Sequence, residues 1–300
     1  MTLRARGKLL IINPLLKTTM LTGLALIAFA ANSVLCRLAL GSEAIDASSF
    51  TIIRLLSGTV VLLAILGVTG NMTGLSRKGS WPASLMLFIY AIAFSFAYIS
   101  LDTGTGALIL FGSVQITMIL LALISGSRLH VTEWTGVIIA FAGFVYLILP
   151  GVTAPSTSGF LLMTVAGIAW GIYTIKGRGS KRPLVDTASN FLRTTPFILL
   201  LGLITFGHVN YSSEGIFLAV LSGGITSGIG YTIWYIALGG LSSTQAAVLQ
   251  LSVPLIAALG GIIFVSEVIT TRLVLAAAMV LGGILLVIVG KYYAVSIPSR

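Results

Sequence analysis

The sequence predicts an all-α integral membrane protein of ten transmembrane helices, arranged as an inverted 5+5 repeat. Three observations carry that prediction. The 300-residue chain is 57% hydrophobic and only 8% charged, whereas about a quarter of residues are charged in soluble domains; no soluble core hides so much apolar surface. Its apolar residues fall into ten runs near 18–40, 48–69, 83–101, 105–126, 133–150, 158–176, 187–207, 215–238, 244–265 and 272–290. Each is close to the roughly 20 residues that a helix needs to cross a bilayer. Finally, a gap-free shift of 139 residues lays Pro254 on Gln115, Ser252 and Val253 on Ser113 and Val114, Arg193 on Arg54, Lys176 on Arg37 and Gly282 on Gly143. Sustained self-similarity of this kind is what an old internal duplication leaves behind. It divides the chain into a first unit, residues 1–150, and a second, residues 151–300.

The runs differ in what interrupts them. The first follows the basic segment MTLRARGKLLIINPLLK. Its Ala28-Phe29-Ala30 could pass for a signal-peptidase site, but the run is long and has a counterpart in span 6, so it reads as a retained helix. Spans 2 and 7 hold the superimposed arginines, Arg54 and Arg193, within IDASSFTIIRLLSG and VDTASNFLRTTPF. Span 8 contains SGGITSGIGYTIW, small residues at three- to four-residue spacing that let helices approach closely. Span 9 is interrupted by Pro254, with Gln245 and Gln250 before it and Gly260 and Gly261 after it. Proline removes one backbone hydrogen bond and kinks a helix, which lipid tolerates only where neighbours satisfy the freed carbonyl. An amide one turn before such a kink is expected to face protein or a wet cavity.

The net charge of +10 would suggest nucleic acid in a soluble protein. Here the basic residues cluster in short connections, without a stripe of interleaved aromatics, so no nucleic-acid partner is expected. Placing the N-terminus inside puts Arg4, Arg6, Lys8, Lys17, Arg77, Lys78, Arg128, Lys176, Arg178, Lys181, Arg182, Lys291 and Arg300 on one side, against Arg272 on the other. Short-loop basic residues stay on the cytoplasmic face, so both termini are expected there. Five spans per repeat is an odd number, so the two halves insert upside-down to one another, an architecture used for alternating access.

Several classes of chemistry find no support. One cysteine, Cys36, permits no intrachain disulfide. His130 and His208 fall at predicted helix ends with no second ligand at metal spacing. There is no Gly-Lys-Ser/Thr nucleotide loop and no Ser/His/Asp set that pattern could bring together, so no enzyme activity, cofactor or metal is expected. Glu43, Asp46, Asp102, Glu133, Asp186, Glu214 and Glu267 all sit at or near span ends. A proton-coupled pump of organic cations usually needs a carboxylate within the membrane.

Polar and aromatic residues gather instead on particular spans. Asn32 lies in span 1, Gln115 in span 4, Trp170 and Tyr173 in span 6, Tyr231 and Trp234 in span 8, and Gln250 in span 9. Tyr90, Phe94 and Tyr98 in span 3 recur at i, i+4, i+8, on one helical face. Asn32, Tyr90, Tyr98, Gln115, Trp170, Tyr173, Tyr231, Trp234 and Gln250 are therefore the candidate substrate-binding residues of a mostly apolar chamber with a few polar groups. Such a pocket suits zwitterions or neutral amphiphiles, whose ammonium can rest on an aromatic face. Arg54 and Arg193 read as structural residues, with carboxylate binding as the functional counterpart.

AANSVLCRLAL in span 1, SSFTIIRLLSG in span 2 and SVPLIAALGGIIFVSE in span 9, with the 5+5 duplication, resemble the EamA-type branch of the drug/metabolite transporter superfamily. Within it the chain is most similar to the YddG-like exporters of aromatic and other amino acids. The branch commonly follows the proline of each repeat's fourth helix with a glutamate. Pro254 and Glu267 keep that pattern, while Gln115 and Arg128 depart from it. The resemblance implies a basket of helices around a chamber built from spans 1, 3, 4, 6, 8 and 9. It also implies a multi-pass exporter of amino acids or related small metabolites in the bacterial inner membrane. A drug or toxic-compound exporter of the same fold, and a non-transporting membrane protein, stay open as alternatives. Lipid and a small-molecule substrate are the expected partners; the oligomeric state is not written in the sequence, and a monomer is compatible with it.

Overall fold

Nearly every described residue is helical in a computed structural model of the chain, which describes residues 14–70, 72, 75, 79–126, 129–151, 153–177, 180–241 and 243–296. Of the basic residues assigned to one side, Arg4, Arg6, Lys8, Arg77, Lys78, Arg128, Arg178 and Arg300 lie outside the described residues, as does the side chain of Lys291. The first half consists of α1 (Pro14–Gly41), α2 (Ala47–Val68), α3 (Trp81–Ala97), α4 (Thr103–Ile124) and α5 (Val131–Ile148). In the second half only α6 (Thr157–Gly177) and α13 (Thr271–Ser296) are continuous. Between them run α7 (Pro183–Leu192) with α8 (Thr195–Thr205), then α9 (Ser213–Val220), a π-helical stretch (Leu221–Ile229) and α10 (Gly230–Leu238), then α11 (Ser243–Gln250) with α12 (Val253–Val265). Among the described residues nine spans are long and apolar enough to cross a membrane, and the 17-residue α3 is a shorter apolar helix. No strand occurs among them; a lone antiparallel bridge pairs Ile45 with Tyr211.

The breaks have local causes. Pro254 stands in the first turn of α12, where its missing N–H costs nothing, and the chain turns at Leu251 and Ser252. Pro196 does the same for α8, so the predicted single seventh span is two helices meeting at Arg193 and Thr194. Helix starts are capped by short polar side chains that accept an otherwise orphaned backbone N–H. Asp46 accepts from Ser49 N at 2.9 Å and Ser212 from Gly215 N at 3.1 Å. His130 N donates to Glu133 Oε2 at 2.7 Å at the start of α5.

Small residues set the packing. α5 lies against α13, where a Cβ on Gly136 would come within 2.5 Å of Gly283 O, and one on Gly283 within 2.5 Å of Gly136 O. α6 packs on α3 and α4, and α1 on α10 and α12. In lipid there is no hydrophobic drive between helices, so this intimacy of backbones supplies the contact energy. The outward faces are apolar: Val60, Ile138, Phe141, Leu199, Leu203 and Phe264 are all exposed, as lipid-facing residues are. Trp81 and Trp134 stand exposed near the starts of α3 and α5, where amphipathic rings suit the headgroup region.

The two ends of the bundle differ in charge. The end formed by the start of α1 and the α6–α7 and α10–α11 connections carries Lys17, Lys176, Lys181 and Arg182. At the opposite end the α1–α2, α3–α4, α8–α9 and α12–α13 connections carry Glu43, Asp46, Asp102, Glu214 and Glu267. These are called the basic and acidic ends below.

Candidate functional site

Two connected sets of residues surround unfilled space inside the bundle. A cavity of about 380 Å³ is lined by Met118, Trp170, Thr174, Tyr231, Trp234, Tyr235, Ala246 and Gln250, with Gly177, Ser180, Pro183, Gly239 and Leu241 around its rim. Those rim residues belong to the α6–α7 and α10–α11 connections, so the cavity opens at the basic end. Deeper in, a void of about 20 Å³ is bounded by Phe29, Asn32, Ser33, Tyr90, Phe94, Phe111, Trp170 and Tyr231. It has room for about one water molecule. Trp170 and Tyr231 line both spaces, with ring centroids 4.9 Å apart, and form the floor between them.

The polar groups around that floor are tied into one network. Asn32 Oδ1 accepts from Ser222 Oγ at 2.7 Å and from Thr226 Oγ1 at 3.0 Å, and its Nδ2 donates to the Tyr90 hydroxyl at 3.4 Å. Arg54 Nη2 donates to the same hydroxyl at 2.8 Å, and Arg54 Nε to Ser227 Oγ at 3.4 Å. The guanidinium lies 4.8 Å from the centroid of Phe94 and 5.1 Å from that of Tyr90. Arg54 is 1% exposed, and no carboxylate is paired with it among the described residues. The π-helical stretch makes the network possible. A Cβ on Gly223 would sit 2.0 Å from Arg54 O, so only glycine lets α2 approach so closely. The wound-out turn then presents Ser222, Thr226 and Ser227 to α1 and α2, and interruptions of this kind are frequent at functional sites.

The candidate residues fall into three groups. Asn32, Tyr90, Trp170, Tyr231, Trp234 and Gln250 each line one or both spaces. Gln115 lines neither but is buried on the α4 face shared by Phe111 and Met118, at i, i+4, i+7, between void and cavity; its Nε2 has no hydrogen-bond partner among the described residues. Tyr173 and Tyr98 are also set back. Tyr173 is stacked behind Trp170 at 5.3 Å. Tyr98 follows the last residue of α3, packs edge-on against Phe94 at 4.8 Å and donates to Thr103 O at 3.3 Å. Sequence reading did not place Arg54 in this network, nor Phe29 and Met118 around the two spaces. The cue for Arg54 was its position within an apolar run; the aspartate two turns before it, Asp46, is spent on capping α2 at Ser49 N.

Beyond the void, the acidic end is locked. Glu267 accepts from Arg37 Nε at 3.3 Å, from Thr103 N at 2.9 Å and from Thr103 Oγ1 at 3.0 Å. Arg37 also pairs with Asp102 at 3.5 Å and donates to the carbonyls of Tyr98 and Ile99 at 3.2 Å. One carboxylate and one guanidinium thus fasten the ends of α1, α3 and α12 to the start of α4. A further cleft of about 450 Å³ lies at this end beside Asp46, Ile204 and Asn210. It is formed largely by two connections and exposed side chains, and has no contact with the polar network. Among the described residues no group of three or more His, Cys, Asp or Glu could hold a metal.

Comparison with known proteins fits this geometry. The profile of the EamA-like transporter family matches residues 157–289. An uncharacterized protein of Pseudomonas aeruginosa is 47% identical over 91% of this chain and 94% of its own length. Two uncharacterized transporters of Archaeoglobus fulgidus are 26% and 27% identical, over 81% and 67% of this chain and 87% and 73% of their own. A protein of known crystal structure superimposes with a TM-score of 0.60 at 21% identity, covering 88% of this chain and 97% of that one, which shows a shared fold. With a buried, one-ended chamber inside a multi-pass helical bundle, and an EamA-like transporter domain over residues 157–289, the chain is a membrane transporter of the drug/metabolite type.

Proposed function

We propose that this transporter exports amino acids, aromatic and other neutral ones, or related small metabolites, across the bacterial inner membrane, in the manner of the YddG-like exporters. It does so by alternating access between two inverted five-helix repeats, residues 1–150 and 151–300. The observation that carries the reading is the chamber of about 380 Å³, open at the basic end and stopped at mid-depth by Trp170, Tyr231 and Tyr90. Its volume falls in the range of small-molecule sites, about 300–1,000 Å³. Its wall offers aromatic faces and the Gln250 amide without a carboxylate, Asp186 standing behind Ser180 at the rim. A zwitterion or neutral solute suits that wall better than an organic cation, which would find no counter-charge.

Helix pairing supports the repeat. Under the 139-residue shift α1 answers α6 and α4 answers α11–α12, so contact of α1 with α12 exchanges with contact of α6 with α4. Likewise α1 on α10 exchanges with α6 on α3, and α5 on α13 exchanges with itself. The basic residues around the cavity mouth support a cytoplasmic mouth and cytoplasmic termini. Substrate then enters from the cytoplasm and leaves once the Arg37–Glu267 lock at the acidic end opens and the basic end closes.

The test is uptake and counterflow of labelled tryptophan, phenylalanine and leucine by liposomes holding the purified protein, with and without a pH gradient. Saturable movement of at least one of them is expected. If none moves faster than in protein-free liposomes, the amino-acid reading fails; protection of cells from toxic cations in its place would favour a drug exporter.

A further inference from the structure

We propose that the chamber takes its substrate carboxylate-first, with the Arg54 guanidinium as the carboxylate anchor and the Tyr90 hydroxyl as the group that occupies this anchor when the chamber is empty. This rests on the chamber being the transport site, and it assigns the chemical feature which that site reads.

The charge balance around Arg54 is the starting point. A buried cation without an ionic partner is costly. Arg37, by contrast, is partly exposed and has both Glu267 and Asp102. Arg54 is 1% exposed and is met only by neutral groups: the Tyr90 and Ser227 hydroxyls and the faces of Phe94 and Tyr90. Its Nη1 has no hydrogen-bond partner among the described residues. Ser33, 1% exposed, borders the small void and lies against the Tyr98 hydroxyl. An unused guanidinium N–H therefore stands behind Tyr90 and Phe94, the rings that separate Arg54 from the void. What the guanidinium lacks is an acceptor with negative charge.

Geometry says which acceptor. A carboxylate meets a guanidinium through two parallel N–H···O bonds. Arg54 Nη2 is already satisfied by one oxygen, Tyr90 Oη at 2.8 Å, while Nη1 beside it is free. The tyrosine hydroxyl stands where one carboxylate oxygen would stand, leaving the second position open. Rotation of Tyr90 toward the void would uncover both donors to a solute arriving over Trp170. An α-ammonium on that solute would then lie among the Trp170 and Tyr231 rings, where cation–π attraction substitutes for a counter-charge.

The test uses the full chain in detergent and three indole probes differing only in charge: tryptophan, indole-3-propionate and tryptamine. The leucine-derived set (leucine, 4-methylpentanoate and 3-methylbutylamine) covers a smaller chamber preference. Thermal stabilisation and competition against a labelled amino acid are read for wild type, Arg54→Gln, Arg54→Lys and Tyr90→Phe. Wild type should respond to the amino acid and the carboxylate far more than to the amine. Arg54→Gln should weaken carboxylate binding at least about tenfold, the value of a charge-assisted hydrogen bond, and erase the preference over the amine; Arg54→Lys should restore part of it. Tyr90→Phe should bind carboxylates several-fold more tightly, an outcome that a purely structural arginine would not produce.

Amines binding as well as carboxylates to wild type, or no carboxylate in either series binding, would overturn the proposal, as would preference surviving in a folded Arg54→Gln protein. If wild-type liposomes move amino acids while Arg54→Gln keeps the preference, the anchor alone is lost. If they move none, the transport reading falls with it.

Discussion

The Glu267 carboxylate reaches across 230 residues of chain to Arg37, 3.3 Å from its Nε, while accepting the first N–H of α4 from Thr103 at 2.9 Å. A carboxylate at a helix N-terminus and beside a guanidinium is doubly favoured. Glu267→Gln is therefore expected to cost about 1–3 kcal/mol and to loosen the acidic end selectively. Cys36, fully buried next to Arg37, is the chain's own reporter. Maleimide should label it several-fold faster in Glu267→Gln than in wild type, and equal rates would show that this lock does not hold that end shut.

The chamber floor and wall should respond differently from residues set behind them. Trp170→Phe and Gln250→Ala each remove a group lining the cavity, and each should raise the apparent KM for a transported solute about tenfold. Tyr98→Phe deletes the 3.3 Å bond to Thr103 O and the hydroxyl's contact with Ser33. It should leave transport near wild type and lower stability by about 1 kcal/mol or less. Transport assays in liposomes beside melting curves separate the two patterns.

Two glycine substitutions make a matched pair. In Gly223→Ala the new methyl would meet Arg54 O at 2.0 Å and Ser57 Oγ at 2.1 Å, forcing α2 and the π-helical stretch apart at a cost of about 1–3 kcal/mol or more. Gly67→Ala lies in α2 with nothing within 4 Å. It should be neutral or stabilising by about 0.5–1 kcal/mol. Thermal unfolding in detergent measures both.

Asp46 carries a pH dependence at the acidic end. Burial pushes its carboxyl up, but the hydroxyl and N–H of Ser49 with the N–H groups of Asn210 and Ser48 outweigh this and hold it below the ordinary value. A lowered folded-state value means stabilisation that is present above the unfolded value, about 3.9, and lost as pH falls through the folded one. Asp46→Ala should cost about 1 kcal/mol at neutral pH, and its deficit relative to wild type should shrink on acidification below about pH 4. A deficit independent of pH would assign the cost to the side chain's shape alone.

Much of this architecture could be read from the chain because hydropathy and length alone define membrane helices. The proline argument expects an amide facing protein or a wet space, and Gln250, one turn before Pro254, borders the cavity. Other features depended on long-range neighbours. Arg54 and Arg193 coincide in the 139-residue shift, yet Arg54 is buried in the polar network while Arg193 ends α7 and donates to Ser189 O at 3.4 Å. Periodicity put Tyr90, Phe94 and Tyr98 on one face, but that face runs from the floor of the chamber to the end of α3, so its last member meets Thr103 instead of the void. The one acid in Arg54's own segment, Asp46, is taken by the N–H groups of Ser49 and Asn210, and whether an acid stands opposite Arg54 is decided by other helices.

The wide turn at Leu221–Ile229 acts as a phase shift. Because it winds more residues per turn than an α-helix, it displaces the azimuth of everything after it, and a single residue is worth about 100° of rotation in a regular helix. Tyr231 and Trp234 face inward by virtue of that offset as much as by their order in the chain. Were the turn to tighten to ordinary helix, both rings would swing around the axis together, so the diameter of the passage is coupled to the winding of one short backbone segment.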